Sequence, residues 1–277
     1  MISRIFIERI SEPLHLNILT FFVALFGTYK QKILFDLILR HCHAFALNDA
    51  ANKAKEMGLS AITVIEFGVA EGGGLLNICK ICEKLSKIYN INFQIVGFDT
   101  GEGMPMPLDY RDHPELYQPG DFKMNPEILR PLLPNNCELI LGHVSTTLKE
   151  FCKRTSLYKA PIAFISFDLD YYSSTYNAFD ILQMESAKYL PTLPLYFDDI
   201  ALSSHNSKCG ELLAIQQFNS AIEKRVIEKN TFLPGRRIYK HAQWIDQIFY
   251  LHVLDHPIRE ELVTGREIAM LGNPYLD

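Results

Sequence analysis

Four aspartates directly follow two apolar runs of the sequence, at 162–167 and 193–197. They are Asp168, Asp170, Asp198 and Asp199. If the two runs form neighbouring parallel strands, these carboxylates meet at one edge of the sheet. They would repel one another unless protons or a cation intervened, and hard divalent cations take oxygen ligands. We therefore predict a Mg²⁺ site built from Asp168, Asp198 and Asp199, although any single aspartate at such a place is more often a solvated turn residue.

A glycine-rich turn lies earlier in the chain, between an apolar run and a helical pattern. Its glycines are Gly68, Gly72, Gly73 and Gly74. Glycine lets a ligand lie against the main chain at a helix N-terminus. The spacing departs from G-x-G-x-x-G because Ala70 stands at the second glycine position. Asp99 ends the next apolar run, where a carboxylate can accept hydrogen bonds from ribose hydroxyls. The two features predict a nucleotide-like ligand; the alternatives are a tight strand–helix connection and a simple turn cap.

Three segments resemble the macrocin O-methyltransferase-like group of class I S-adenosylmethionine-dependent methyltransferases. They are GFDTGEGMP (97–105), DLDYYSST (168–175) and YFDDI (196–200), and they follow the glycine turn in matching order over about residues 60–200. The resemblance implies a seven-stranded, mostly parallel sheet with S-adenosylmethionine bound across the strand ends. The residues that it implies for cofactor binding are Glu66, Gly68, Ala70, Gly72, Gly73, Asp99, Thr100 and His143. Two positions depart from the group's pattern: Gly101 replaces an aromatic residue, and His143 stands where an acid is common.

The predicted chemistry is methyl transfer to oxygen. A substrate hydroxyl next to Mg²⁺ becomes more acidic, as metal-bound water does. A base then removes its proton, and the oxygen attacks the sulfonium methyl group in line. Asp170 is the candidate base, with Asp168 as the alternative if the ligand roles are exchanged. His113 is a second candidate, although a histidine in a proline-rich loop is more often structural. The expected acceptor is a small hydroxylated molecule, such as a sugar or a glycosylated metabolite.

A sheet has to position these side chains, and short apolar runs do alternate with amphipathic stretches. The predicted strands are 61–67, 93–98, 137–141, 162–167 and 193–197, and the predicted helices are 74–89, 145–154, 173–189 and 210–228. Two further predicted strands, near 236–241 and 245–253, suit an antiparallel hairpin at one edge. The pattern favours a parallel sheet with helices on both faces. Together with the resemblance, it implies an α/β, Rossmann-like fold with seven mostly parallel strands.

The chain divides into a predicted helical N-terminal extension, 1–59, and a methyltransferase-like α/β domain, 60–277. Residues 101–136 carry seven of the 14 prolines, so much of this segment cannot be regular helix or strand. We predict that it is a lid-like insert over the substrate. The apolar run 14–26 predicts a packed helix, with a membrane-surface helix as the less favoured alternative. It is too short to span a bilayer, so no stable membrane insertion is expected.

The composition is that of an ordinary soluble globular protein, with 48% hydrophobic and 21% charged residues. A net charge of −5 offers no basic footprint for nucleic acid. Six cysteines are scattered through predicted helices and strands, which favours reduced core thiols and a cytoplasmic protein. The apolar N-terminal helices could bury against another subunit, so a homo-oligomer is a further expectation.

Two other functions are compatible with parts of the sequence. An NAD(P)-dependent oxidoreductase could use the glycine turn, but it would explain neither the four aspartates nor the imperfect glycine spacing. A non-catalytic module could keep the fold and bind a ligand or a partner. Binding of S-adenosylmethionine against NAD⁺, and methyl transfer that depends on Mg²⁺, would separate these alternatives.

Overall fold

The computed structural model describes residues 12–201, 204–261 and 272 of the chain. Its strands are β1 Ala61–Phe67, β2 Asn92–Asp99, β3 Cys137–Leu141, β4 Ile162–Phe167, β5 Thr192–Phe197, β6 Arg225–Lys229 and β7 Ile248–Val253. Its α-helices are α1 Leu14–Phe26, α2 Tyr29–Leu34, α3 His41–Glu56, α4 Gly73–Tyr89, α5 Pro126–Leu129, α6 Val144–Cys152, α7 Tyr172–Ala178, α8 Gly210–Ala221 and α9 Leu233–Arg236. Residues 1–11 of the predicted extension lie outside the described ranges.

The strands form one seven-stranded sheet in the order β3-β2-β1-β4-β5-β7-β6. β7 is antiparallel to both of its neighbours, and the other pairings are parallel. The predicted mostly parallel sheet is therefore confirmed. β1 and β4 lie side by side although nearly a hundred residues separate them. The crevice outside their carboxyl ends is the point where the strand order reverses, which is where open α/β sheets bind ligands.

The antiparallel edge is confirmed, and β7 falls within the predicted strand 245–253, but different residues build the second strand of this edge. The prediction of a strand at 236–241 is wrong, and β6 instead overlaps the end of the predicted helix 210–228. Helix α8 ends at Ala221 because the side chain of Asn219 turns to β6. That side chain donates to the carbonyl of Ile227 and accepts from its N–H, both at 2.8 Å. A tertiary contact thus overrides the local helical pattern.

The predicted helix 173–189 also ends early, because α7 stops at Ala178. Two 3₁₀ turns follow it, Phe179–Gln183 and Ser186–Lys188. The buried hydroxyl of Tyr189 accepts from the N–H of Met184 at 2.8 Å and donates to the Ile181 carbonyl at 2.5 Å. These bonds satisfy backbone groups that a continuous helix would have paired internally.

Helices cover both faces of the sheet. Successive strand residues point to opposite faces, so the side chains of Tyr196 and Phe197 in β5 contact the helical layers on the two sides of the sheet. The ring of Tyr196 lies 4.9 Å from that of His43 in α3, whereas Phe197 lies 6.1 Å from Phe179, which follows α7. Helix α3 lies within the predicted N-terminal extension, and its buried side chains pack against β4 and β5.

Four phenylalanines stand in register at the carboxyl ends of the four central strands. They are Phe98, Phe67, Phe167 and Phe197, in the order of the strands β2, β1, β4 and β5. Neighbouring rings stack with centroids 4.9–5.4 Å apart and interplanar angles of 9–21°. Each phenylalanine directly precedes Gly68 or one of the predicted aspartates. This phenylalanine ladder therefore sets the height at which those residues leave the sheet.

Helix α1 is present as predicted, but its packing is not. The residues turned toward the rest of the chain are Leu16, Asn17, Thr20 and Val23, and none of them is fully buried. The hydroxyl of Thr20 is hydrogen-bonded to that of Tyr239. The large apolar side chains of α1 are mostly exposed, so the prediction of a packed helix is wrong. None of the helices in the described ranges combines the length and apolar character needed to cross a bilayer.

All six cysteines are free thiols. Cys42, Cys79 and Cys82 are buried, and the other three are half-buried. The expectation of reduced cysteines inside the fold is met for the three buried thiols. The cytoplasmic location stays a prediction.

Candidate active site

A cavity of about 920 Å³ opens at the carboxyl ends of the central strands. It is lined by the glycine turn, the strand-end aspartates and part of the segment 101–136. Of the residues predicted for the site, only Gly72 and the second base candidate, His113, do not line it. Gly72 precedes α4 with φ 87°, and a Cβ there would stand 2.3 Å from Leu129, so its role is in packing. The other predicted residues meet around one space.

The glycine turn carries the main chain from β1 into α4 beside β4. Gly68 has φ 81°, and a Cβ on it would lie 1.7 Å from the carbonyl oxygen of Asp168. Ala70 also has a positive φ, 47°, in the region that favours glycine. Only a residue without a side chain at position 68 lets the turn pass this close to the end of β4. Backbone rather than side chains therefore forms this wall of the cavity.

Asp99 fastens the glycine turn to the end of β2. Its Oδ2 accepts from the N–H groups of Val69 at 2.8 Å and Ala70 at 2.9 Å, and its Oδ1 accepts from Gly101 at 2.7 Å. The side chain still lines the cavity, and its Oδ1, which accepts a single N–H, has a further lone pair for a ligand. Asp99 thus orders the turn before any ligand binds, which the sequence analysis did not predict.

Thr100 and His143 lie on the same side of the cavity. The Thr100 hydroxyl donates to the Gly103 carbonyl at 2.9 Å and accepts from the Glu102 N–H at 3.2 Å, so it shapes the turn after β2. His143 directly precedes α6 and lines the cavity.

Three of the four aspartates converge on the opposite side of the cavity. Asp168, Asp170 and Asp199 each offer a carboxylate oxygen, and these oxygens lie within 4.8 Å of one another. Asp198 lines the same cavity, but its Oδ1 accepts a hydrogen bond from the Tyr196 hydroxyl. The triad therefore contains Asp170, which was predicted as the base, in place of Asp198, which was predicted as a ligand.

A fourth acid, Glu211, stands behind this triad. It lies in the first turn of α8 and is 1% exposed, and its Oε2 accepts from the N–H of Asp199 at 3.2 Å. Within the described ranges, Glu211 Oε1 and Asp199 Oδ2 are buried without a hydrogen-bond partner. Glu211 was not predicted for the site, because no motif surrounds it in the sequence.

Burial and mutual repulsion disfavour charge on this cluster. Burial, followed by the charges of Glu211 and Asp170, raises the pKa of Asp199 to about 11. Burial, followed by the charge of Asp198, raises the pKa of Asp168 well above its ordinary value. The pKa of Asp170 is raised by burial and partly lowered by a hydrogen bond from Tyr117. Such a cluster keeps either shared protons or a cation, and oxygen donors suit Mg²⁺.

Glu66 and Arg40 form the floor of the cavity between its two sides. Glu66 is 1% exposed, and its Oε2 has no hydrogen-bond partner among the described residues. Burial, followed by the charge of Asp168, raises the pKa of Glu66 well above its ordinary value, and Arg40 opposes this. Arg40 immediately precedes α3 and was missed by the sequence analysis, because it lies outside every recognisable motif.

The segment 101–136 closes one side of the cavity and is irregular apart from short helical turns. Asp112 anchors it: its carboxylate accepts from the Ser173 N–H and hydroxyl, both at 2.8 Å, and from the Leu108 N–H at 2.9 Å. Tyr117, in the same segment, reaches the triad through Asp170. The predicted insert therefore contributes to the site, and Asp112 caps α7 across 61 residues of sequence.

His113, the second base candidate, is not among the cavity-lining residues. Its ring is 2% exposed and stacks on that of His205 at 4.7 Å, and its Nδ1 lies 3.0 Å from Glu115 Oε1. A Cβ on Gly210 would stand 3.4 Å from its Nε2, so the ring packs against the start of α8. These contacts agree with the structural role that a histidine in such a loop more often has.

No protein-family model and no curated protein sequence matches the chain. Among solved structures, the calicheamicin methyltransferase CalS11 matches with 20% identity over 90% of each chain and a TM-score of 0.51. A cmcI-D160 structure with Mg and SAM matches with 18% identity over 73% of this chain and 69% of that chain, at a TM-score of 0.38. The O-methyltransferase from Bacillus cereus in complex with SAH has 11% identity over 84% of this chain and 95% of that chain, at 0.40.

These comparisons bear on the fold. At 20% identity the CalS11 match establishes a shared architecture, and the other two scores are too low to carry an argument. The chain thus has a Rossmann-like fold that it shares with CalS11: seven strands, mostly parallel, with an antiparallel edge and helices on both faces. Function has to be argued from the site itself.

Proposed function

We propose that the protein is an S-adenosylmethionine-dependent O-methyltransferase that uses Mg²⁺ and acts on a hydroxyl group of a small molecule. The observation that carries the proposal is the position of the carboxylate triad. The triad lines the same cavity as the glycine turn. The close contact between Gly68 and the backbone of Asp168 joins the two. A methyl donor on the turn and an acceptor at the triad would meet in the space between them.

The carboxylate donors fit a magnesium ion. Asp168 and Asp199 are the proposed ligands, with Asp198 beside them on the cavity wall. The buried, unpartnered Asp199 Oδ2 supports this assignment, because an oxygen in that position lacks a positive partner. Bound there, the cation would neutralise the cluster and make a neighbouring hydroxyl group more acidic.

The opposite side of the cavity fits the methyl donor. The open backbone of Gly68, Ala70 and Gly73 allows close approach, and the Asp99 carboxylate can accept from ribose hydroxyls. Thr100 and His143 line the remaining wall and are proposed contacts of the nucleoside. A cavity of about 920 Å³ is at the upper end of small-molecule sites, and it has room for a donor together with an acceptor.

Asp170 is the proposed base. It lines the cavity, and Tyr117 is hydrogen-bonded to its carboxylate and so fixes its orientation. Asp170 would accept the proton of the acceptor hydroxyl, and the oxygen lone pair would attack the donor methyl group from the side opposite the sulfur. The carbon–sulfur bond would break, and the donor would leave as the neutral thioether S-adenosylhomocysteine. Holding the reacting atoms in line at about 3–3.5 Å can supply roughly 7–11 kcal/mol of the barrier reduction.

The acceptor side of the cavity suits a hydroxylated molecule with an apolar body. Met104, Met106, Leu108 and Phe122, all from the insert, line it, and Lys123 lies among them. Small-molecule sites commonly combine such apolar walls with a few polar groups. This wall supports a small acceptor such as a sugar attached to an apolar aglycone.

Methyl transfer from labelled S-adenosylmethionine to a panel of hydroxylated sugars and phenols tests the proposal. We expect a mass increase of one methyl group that requires Mg²⁺ and disappears with a chelator. Asp170→Asn should lower kcat about 10²–10⁴-fold, whereas the exposed Asp246→Asn should not change it. Turnover that is indifferent to chelation would contradict the use of Mg²⁺. Binding of NAD⁺ but not of S-adenosylmethionine would contradict the function as a whole.

A further inference from the structure

The Tyr196 hydroxyl engages one of the two carboxylate oxygens of Asp198. The two residues are two positions apart at the end of β5, so their side chains project from the same face of the sheet. A carboxylate only accepts hydrogen bonds, so the hydroxyl donates its proton to Asp198 Oδ1. The Cys42 thiol, from α3, is hydrogen-bonded to Tyr196 and has to donate, because the hydroxyl has a single proton. Asp198 Oδ2 is the oxygen that the tyrosine leaves to a ligand.

Both partners of this hydrogen bond are fixed by other contacts. The Asp198 N–H donates to the Phe167 carbonyl at 3.1 Å, and the Asp198 carbonyl accepts from the Gln247 side chain at 2.6 Å. Tyr196 is 4% exposed, and its ring packs edge-on against that of His43 with centroids 4.9 Å apart. The hydroxyl therefore keeps its place when an ion arrives, and only rotation of the Asp198 side chain would release Oδ1.

A carboxylate that is held by one oxygen binds metal ions in a restricted way. Coordination through both oxygens would require the hydrogen bond from Tyr196 to be broken, whereas coordination through Oδ2 alone keeps it. Ca²⁺ takes about six to eight oxygen ligands and often binds both oxygens of one carboxylate. Mg²⁺ takes about six, keeps several waters and needs only one oxygen from each carboxylate. The tyrosine thus opposes the coordination that Ca²⁺ prefers.

We infer that Tyr196 is a positioning residue that makes the carboxylate cluster select Mg²⁺ over Ca²⁺, because it limits Asp198 to a single oxygen. The inference rests on the proposed function and assigns the ion selectivity of its metal site. Asp198 lines the cavity beside Asp168 and Asp199, so an ion held by those two side chains lies within reach of Asp198 as well. The selectivity comes from a buried side chain that does not itself line the cavity.

Competition against Mn²⁺ tests the inference on the full chain without any substrate. Mn²⁺ uses the same oxygen ligands, and its free-ion EPR signal disappears when it binds, so displacement by Mg²⁺ or Ca²⁺ gives the Kd of each ion. We expect Tyr196→Phe to lower the ratio of the Ca²⁺ Kd to the Mg²⁺ Kd about 10-fold, because a hydrogen bond to a charged group no longer opposes binding through both oxygens.

Two further variants sharpen this measurement. Tyr250→Phe is the matched control, because Tyr250 is a half-buried tyrosine of the adjacent strand β7 that donates to Asp49 at 3.1 Å and does not line the cavity. It should leave the ratio within about 2-fold. Asp198→Glu carries the carboxylate beyond the hydroxyl and should lower the ratio as Tyr196→Phe does. Asp198 is half-buried, so this variant tests the inference even where Tyr196→Phe does not fold.

The outcomes separate the inference from the function on which it rests. A ratio that stays unchanged in Tyr196→Phe and Asp198→Glu would overturn the inference and leave the use of Mg²⁺ standing. Equal losses of affinity for both ions would also overturn it, since the hydroxyl would then serve only the fold. A wild-type protein that binds none of the three ions would overturn both. Circular dichroism melts establish that each variant is folded.

Helix α1 faces the rest of the described chain with its more polar side. The Tyr239 hydroxyl is hydrogen-bonded to Thr20 and donates to the Leu16 carbonyl at 3.4 Å. Seven large apolar side chains point away from that contact and are between 47% and 81% exposed. They are Leu14, Ile18, Leu19, Phe21, Phe22, Leu25 and Phe26. This orientation is the reverse of that of an ordinary surface helix.

We propose that this apolar face of α1 binds the same face of a second copy of the chain. Large apolar side chains have about 150–250 Å² each, so the exposed parts add to on the order of 800 Å², which is what one partner buries in a standard interface. A helix lying on a membrane surface usually carries Lys or Arg on its polar side, whereas α1 contains neither. An uncharged patch of this size is self-complementary, as a two-fold interface requires.

Analytical ultracentrifugation of the full chain at micromolar concentration tests this interface. We expect a concentration-dependent dimer that becomes monomeric in Phe22→Glu/Leu25→Glu, while Ile258→Glu, at another exposed apolar residue, leaves the dimer intact. A wild-type monomer would overturn the proposal, and its binding to phosphatidylcholine–phosphatidylglycerol vesicles would assign the face to lipid. A double variant that still dimerises would place the interface elsewhere and overturn the proposal too.

Discussion

The carbonyl oxygen of Asp168 occupies the space in which a side chain of residue 68 would begin. Gly68 directly follows β1 and Asp168 directly follows β4, and a Cβ on the glycine would lie 1.7 Å from that oxygen. The Asp168 N–H also donates to the Phe67 carbonyl at 3.0 Å. The turn proposed to bind the methyl donor and the cluster proposed to bind the metal are therefore rigidly connected. A substitution in one of them is expected to displace the other.

Gly68→Ala is expected to destabilise the fold and to abolish activity. The substitution combines a positive φ, which costs about 1–2 kcal/mol for a residue with a Cβ, with an overlap that forces the ends of β1 and β4 apart, at a further 1–3 kcal/mol or so. Gly120→Ala is the matched control, because Gly120 has φ 87° and nothing within 4 Å of its Cβ position. Both variants carry the cost of the positive φ, so the difference between their Tm values measures the effect of the steric overlap at position 68. Equal losses of Tm would contradict the close contact.

Mg²⁺ is expected to raise the Tm of the protein through Asp199. A ligand at 100 times its Kd stabilises the native state by about 2.7 kcal/mol when it does not bind the unfolded chain. Asp199→Asn should remove this increment, because the amide is a poor ligand for the ion, whereas Asp246→Asn at the surface should keep it. Differential scanning fluorimetry with and without EDTA measures the effect. An increment that survives in Asp199→Asn would place the ion elsewhere.

Asp112→Ala is expected to release the insert without unfolding the sheet. The substitution removes three hydrogen bonds that join Leu108 and Ser173, so the segment 101–136 loses its tie to α7. Limited proteolysis within the insert should accelerate, and the KM for the acceptor should rise more than kcat falls. Asp109→Ala, which loses an exposed pairing with Arg111, is the control. In the wild type, donor and acceptor together should slow this proteolysis.

The stability of the fold is expected to fall in mild acid partly because of His43. Its ring is fully buried against Phe164 and Tyr196, and burial lowers its pKa from 6.5 to about 3. The unfolded chain binds this proton below about pH 6.5 and the native state does not. The contribution of His43 to stability is therefore present above that pH and is lost as the pH falls toward 3. His43→Phe should lose less Tm than wild type between pH 7 and pH 4; an equal loss would contradict a neutral, buried ring.

The parts of the site that follow a strand could be predicted from the sequence. β1, β4 and β5 are continuous apolar runs, so the residues after Phe67, Phe167 and Phe197 had to emerge at one edge of the sheet. The length of each strand was set by the same runs. The predictions were least accurate near β6, where the local pattern of residues 222–228 fits a helix and the Asn219 contact decides for a strand.

The residues that reach the cavity from elsewhere could not be predicted. Arg40, Glu211 and Tyr117 come from the start of α3, the first turn of α8 and the insert, and no spacing in the sequence links them to the strand ends. The sequence also could not show that Asp170, and not Asp198, completes the triad. This difference depends on the Tyr196 hydroxyl and on the left-handed backbone of Asp170, φ 56°.

The three backbone hydrogen bonds to Asp99 have a consequence for ligand affinity. Because this carboxylate already closes the loop after β1 and the loop after β2, the half of the cavity next to it needs little ordering when a ligand arrives. The conformational entropy of those loops is spent during folding, so the free energy of the contacts made there is available as affinity.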